Sequence, residues 1–156
     1  MGKSLQKVIA ITQNDIFGIL ARADLRAKHV LFADDRYMLP AQEWILGEFS
    51  ASLRKWLLQM DIDYRPQDYD CDDFARFAAT LAGLCHRRSY SSRLFSALAF
   101  GEMWYLRDGF GDGHAINVAI VAEDNKLPSL FFFEPQTCER VTLDNVQLAT
   151  VEFIRF

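Results

Sequence analysis

Glu102-Met103-Trp104-Tyr105-Leu106-Arg107 and Ala115-Ile116-Asn117-Val118-Ala119-Ile120-Val121-Ala122 decide the fold class. Both runs are rich in β-branched, aromatic and aliphatic residues. The segment between them, Gly109-Phe110-Gly111-Asp112-Gly113, has the chemistry of a turn. Two further segments, 129–134 and 148–156, read the same way, and Glu123-Asp124-Asn125-Lys126 is a second turn. Upstream, the apolar period is 3.6. Ile16, Ile19, Leu20 and Ala23 predict a helix over 13–26, capped by Thr12 or Asn14. Residues 32–40 read as a loop. A longer helix is expected after Pro40, with Trp44, Ile45, Phe49, Leu53, Trp56, Leu57 and Met60 as its stripe. A third is expected over 70–84, with Phe74, Phe77, Ala78, Leu81 and Ala82 inward and Gly83 near its end. Helices first and strands afterwards imply an α+β class with an antiparallel sheet.

The bulk properties set limits. With 156 residues, 51% of them hydrophobic and 24% charged, the chain suits one globular domain over 1–156. A net charge of -4 argues against a nucleic-acid partner or an anionic membrane surface. No apolar run approaches a transmembrane length. Val8 to Ile11 is too short for a signal-peptide core, so a cytoplasmic chain is expected. Three cysteines, Cys71, Cys85 and Cys138, form no CxxC pair, and free thiols are expected rather than a disulfide scaffold.

Charge is unevenly distributed. Six acids (Asp61, Asp63, Asp68, Asp70, Asp72, Asp73) stand in residues 61–73 against one base, Arg65. Residues 76–93 hold Arg76, Arg87, Arg88 and Arg93 and no acid. The Asp61-Ile62-Asp63 run is not an EF-hand loop, because Pro66 stands where the sixth-position glycine is required.

One constellation carries chemistry. Cys71 opens a helix, His114 starts a strand after a Gly-rich turn, and Glu134 ends the next strand. A helix N-terminus favours a thiolate, an imidazole in reach moves its proton, and a third side chain orients the ring. Each residue also has a purely structural use. A lone cysteine packs as a small apolar residue, a histidine caps a strand end, and Glu134-Pro135 terminates a ladder.

Cys71-Asp72-Asp73, Gly113-His114-Ala115-Ile116-Asn117 and Glu134-Pro135-Gln136 resemble, in order and approximate spacing, the papain-like C-terminal domain of mushroom lectins related to Marasmius oreades agglutinin. The resemblance covers residues 60–140 with motif support. It implies a papain-like, calcium-activated cysteine protease fold without the β-trefoil lectin domain. Carried over, Cys71 is the nucleophile, His114 the general base and Glu134 the third member. The oxyanion hole would use the Cys71 backbone N–H and one side-chain donor, for which Gln67 is the nearest candidate. The resemblance also implies Ca²⁺. Asp72 and Asp73 beside the nucleophile raise a thiol pKa, and a cation reverses that sign. Asp72, Asp73, Glu134 and the Gln136 carbonyl would be its oxygen ligands. The same two acids also complement a helix dipole without any metal.

The leading expectation is therefore a Ca²⁺-dependent papain-like cysteine peptidase acting on a peptide or protein. A peptidoglycan peptidase or a transglutaminase-like acyl transferase would use the same Cys-His pair. A non-catalytic interaction module, with a homodimer as the partner state, is the alternative from another class.

Overall fold

The computed structural model describes residues 10–89, 96–123 and 126–156. In chain order the elements are β1 (Ala10–Thr12), α1 (Gln13–Arg22), β2 (His29–Leu31), β3 (Arg36–Met38), α2 (Gln42–Trp44), a π-helical segment (Ile45–Phe49), α3 (Ser50–Gln59), α4 (Cys71–Ser89), β4 (Ala97–Leu98), β5 (Phe100–Leu106), β6 (Gly113–Val121), β7 (Ser129–Glu134), β8 (Glu139–Val141), α5 (Asn145–Leu148) and β9 (Phe153–Arg155). The class is mixed α and β, in agreement with the α+β expectation.

A six-stranded sheet runs in the order β2-β9-β5-β6-β7-β8, and β1-β3-β4 form a smaller one. The large sheet is antiparallel from β9 through β8, whereas β2 pairs with β9 in parallel. β6 is buried on both faces. Ile116, Val118 and Ile120 join Ile16, Ile19 and Leu20 of α1 in one apolar cluster. Ala119 and Val121 join Leu53, Ala78, Leu81 and Ala82 in the other. The sheet is thus sandwiched between α1 and the pair α3 and α4, as an apolar strand period of two dictates. Gly101 on β5 is required by a close approach: a Cβ there would fall on the Arg155 carbonyl.

Several local expectations change. Thr12 caps α1 through a capping box with Asp15, but the helix stops at Arg22. The expected loop 32–40 contains β3, whose Tyr37 and Met38 are buried between β1 and β4. The helix after Pro40 is interrupted by the π segment. The wider turn keeps Ile45, Phe49 and Leu53 fully buried on one line, while Trp56 and Met60 of the expected stripe lie exposed. α4 passes through Gly83 and ends at Ser89, so Cys85 and His86 lie within it. A helical glycine costs only about 1 kcal/mol, less than the packing of Leu81 and Ala82 beside it gives. Of the expected strand over 148–156 only β9 at Phe153–Arg155 forms, and Leu148 instead closes the short helix α5. An Asp144–Gln147 capping box starts that helix. The stretch 1–9, Arg93 and the centre of the 123–126 turn lie outside the described residues. No helix among those described is long and apolar enough to cross a membrane.

Candidate active site

β6 delivers His114 directly after the 107–112 turn. That turn is built by Asp108, whose Oδ1 accepts the backbone N–H groups of Phe110 (2.9 Å), Gly111 (3.0 Å) and Asp112 (3.2 Å). The left-handed glycine of the turn is Gly109 (φ 81°). His114 is buried, with 7% of its side chain exposed. Its ring meets Tyr105, its cross-strand partner on β5, edge to face at 5.8 Å.

The register of β6 with β7 puts Glu134 on the face that carries His114. Glu134 Oε2 lies 2.7 Å from His114 Nε2. Its other oxygen, Oε1, accepts the Gln136 N–H at 3.2 Å. Pro135 ends the strand, and the Cys138 N–H returns to the Glu134 carbonyl at 2.8 Å, which fixes the carboxylate at the strand end. With Nε2 engaged, Nδ1 is the ring position left for proton exchange.

Cys71 arrives from the opposite layer. α4 is pinned to the sheet by Asn117, which is fully buried. Asn117 Nδ2 donates to the carbonyls of Ala75 (2.7 Å) and Gly101 (2.9 Å). Ala75 lies one turn along α4 from Cys71, so this clamp sets the height of the helix start over β6. The Cys71 thiol meets the backbone N–H of Ala115, the residue after His114. Cys71 and His114 line one cavity of about 320 Å³ with Arg107, Asp112 and Gly113. Tyr64 and Gln136 close its other side. No hydrogen bond joins the thiol to the imidazole among the described residues; catalytic contacts are often long in unliganded sites.

Burial pushes the Cys71 thiol above its ordinary value, and the negative charges of Asp70 and Asp72 push it further. The N–H groups of Ala115 and of Cys71 itself oppose that rise without reversing it. Asp70 occupies the position before the helix. Its carboxyl is held below the usual range by a hydrogen bond shared with Asp72, helped by the Gln67 and Asp72 backbone N–H groups. Asp72 is raised in turn, mainly by that same bond to Asp70. Arg76 spans Asp72 (3.1 Å) and Asp73 (3.3 Å) one turn later.

The four expected cation ligands fall into two pairs. Asp72 and Asp73 are joined through Arg76, and Glu134 and Gln136 through the bond just described. A different trio converges: ligand atoms of Asp70, Cys71 and Asp72 lie within 4.8 Å of one another. Gln67 is exposed, sits at φ 64° and is not among the residues lining the Cys71–His114 cavity, whereas Gln136 is. Sequence reasoning missed Asp70, Asp108, Tyr64 and the Asn117 clamp. Asp70 was readable as a cap immediately before a helix, and Asp108-Gly109 as a turn dipeptide. Asn117 stood in the sequence only as the last residue of the Gly113–Asn117 motif, with no role attached to it. Cys71, Cys85 and Cys138 form no disulfide among the described residues.

Over 94% of its length the chain superposes on two solved structures. One is the PSL1a–E64 complex, with a TM-score of 0.71 and 18% identity. The other is Polyporus squamosus lectin bound to the human-type influenza-binding epitope Neu5Aca2-6Galb1-4GlcNAc, with a TM-score of 0.69 and 20% identity. The fold is shared with half of a fungal lectin chain. The chain spans about half the length of these structures, 50% of the first and 49% of the second. No protein-family model and no curated protein matches it.

Proposed function

We propose that this chain is a papain-like thiol hydrolase module that cleaves peptide bonds, with Cys71 as nucleophile, His114 as base and Glu134 as the group that orients and charges the imidazole. The observation that carries the reading is the His114–Glu134 contact at 2.7 Å, with His114 lining a cavity that Cys71, at the start of a 19-residue helix, also lines. A cysteine and a histidine facing one cavity, with a half-buried carboxylate bonded to the ring, is an arrangement found more often at working sites than in packing. The complex of PSL1a with E64, an epoxide that alkylates thiolates, supports the reading by likeness of fold.

On this reading each residue has one part in the reaction. His114 Nδ1 takes the Cys71 proton while Glu134 holds Nε2–H and stabilises the imidazolium. The thiolate attacks the carbonyl carbon, and the oxyanion turns to backbone N–H at the helix start and to the side-chain amide of Gln136, which lines the same cavity. The C–N bond breaks as the imidazolium returns its proton to the amine. Water, deprotonated by His114, then hydrolyses the thioester and restores the thiol.

The acids at the helix start fit a hard divalent cation such as Ca²⁺. Asp70 and Asp72 present carboxylate oxygens close together and share a proton-dependent hydrogen bond that a cation would replace. Bound there, Ca²⁺ would offset the two charges that raise the thiol. Asp70 and Asp72 would hold it, with Asp72 released from Arg76 and Asp73 left as the partner of that guanidinium.

Incubation with E64 in Ca²⁺-containing buffer, followed by intact-mass and peptide mapping, tests the reading. One adduct on Cys71 is expected, absent in Cys71→Ala. Unmodified Cys71, or labelling spread equally over Cys85 and Cys138, would overturn it.

A further inference from the structure

Glu102 is the most deeply buried acid among the described residues, with 6% of its side chain exposed. Sheet register puts it there. On β5 it pairs with Asn117 of β6 on one side and Arg155 of β9 on the other. Its Oε1 lies 3.8 Å from Arg155 Nη1, and its Oε2 lies 3.9 Å from Arg76 Nε. Both distances exceed a hydrogen bond, and Oε2 accepts none among the described residues. A carboxylate oxygen withheld from water in this way is costly, and a donor within reach of it is Arg76. That guanidinium is bonded elsewhere. Its Nη2 donates to Asp72 (3.1 Å) and its Nη1 to Asp73 (3.3 Å) at the start of α4. Arg76 therefore stands between two stations, one partly exposed at the helix start and one buried in the sheet.

We propose that Arg76 is a tethered cation that holds the Asp72 carboxylate until a divalent metal ion displaces it, and that Glu102 is the buried station that receives the displaced guanidinium. The inference rests on the reading of Asp70 and Asp72 as the ion's ligands and adds what sets the affinity of that pair. A shift of about 1 Å brings Arg76 Nε into hydrogen-bond range of Glu102 Oε2. Arg76 then exchanges its Asp72 bond for one to Glu102 and keeps Asp73. The planar fork permits this, because Nε and the two Nη groups donate in fixed and different directions. In the metal-free state Arg76 offsets the repulsion among the helix-start acids; in the loaded state the ion does. Without Glu102 the guanidinium would give up one partner for none. Arg76 and Glu102 are positioning residues, since neither lines the Cys71–His114 cavity.

Calorimetric titration of the full chain with Ca²⁺, without substrate, tests the exchange. Arg76→Gln should bind Ca²⁺ about fivefold more tightly, the size of effect an ion pair of this exposure supports. Arg76→Lys keeps the charge and loses the fork, and should also tighten binding. Glu102→Gln should weaken binding about fivefold in the parent and less than about twofold in the Arg76→Gln background. A Glu102→Gln effect of equal size in both backgrounds is a bare charge effect and overturns the exchange. Parent affinity in Arg76→Lys overturns it too, and that surface variant keeps the test decisive if Glu102→Gln fails to fold. Asp70→Asn should abolish saturable binding. Binding that ignores Asp70→Asn, or no binding by the parent, overturns the cation site and the exchange with it.

Discussion

His114 and Asn117 sit on the same strand and point to opposite faces of it, and their surroundings differ as much as their orientations. Asn117 is fully buried and gives both amide hydrogens to main-chain carbonyls, one on α4 and one on β5. His114 gives one ring nitrogen to a carboxylate and keeps the other on a cavity wall. The first arrangement has one state and holds two layers together. The second has two protonation states and a route to solvent. A polar group bonded only to backbone serves architecture, while a titratable pair at a cavity is the place where variants can test for proton exchange.

Removing His114 should separate chemistry from architecture most sharply. His114→Ala is expected to lower peptide turnover by about 10²–10⁴-fold, the usual contribution of a general base. Its urea midpoint should move less than that of Asn117→Ala. Equal turnover with and without the imidazole would remove it from the reaction. Asn117→Ala should do the reverse. Losing two buried hydrogen bonds and leaving a void costs about 2–4 kcal/mol, read as a lower urea midpoint at unchanged m. A midpoint within experimental error of the parent would mean that α4 is held by apolar packing alone. Glu134→Gln is the milder change. It keeps a hydrogen bond to Nε2 but removes the charge that assists it, and about a tenfold fall in kcat is expected. No change in kcat, or in its dependence on pH, would make Glu134 a strand-end residue without a role in the chemistry.

The same contrast explains what could be read in advance. The period-two strands 5, 6 and 7 and the helix start at Cys71 were legible because each follows from a local pattern. So was the association of His114 with Glu134, because both fall at strand ends. The short strands at 10–12, 29–31, 36–38, 97–98 and 139–141 were not, because segments of two or three residues have no period to detect. They exist only through pairing with distant strands, β1 with β3 and β2 with β9 among them. Asn117 closed the Gly113–Asn117 motif, but its clamp was not legible there, for the same reason. An asparagine inside an alternating apolar strand becomes a clamp only once the Ala75 and Gly101 carbonyls are placed beside it. The expected grouping of Asp72, Asp73, Glu134 and Gln136 came from the resemblance and from their oxygen atoms, and Arg76 and His114 bond those carboxylates separately. Asp70, one residue before the helix, is the acid that meets Asp72 instead.

The most direct test of a working Cys71–His114 pair is the pH dependence of iodoacetamide labelling, resolved by cysteine, in Ca²⁺ and in chelator. Burial and the charges of Asp70 and Asp72 hold the Cys71 thiol above its ordinary value, so the neutral form is favoured. In chelator its labelling should therefore be slow near neutrality and climb only as pH rises beyond the range of a free thiol, about 8.5. With Ca²⁺ the rise should shift to lower pH, Cys71 should outpace Cys85 and Cys138, and His114→Ala should abolish that lead. Labelling of Cys71 that follows a free thiol in both buffers, and is indifferent to His114, would contradict the assignment of a catalytic pair.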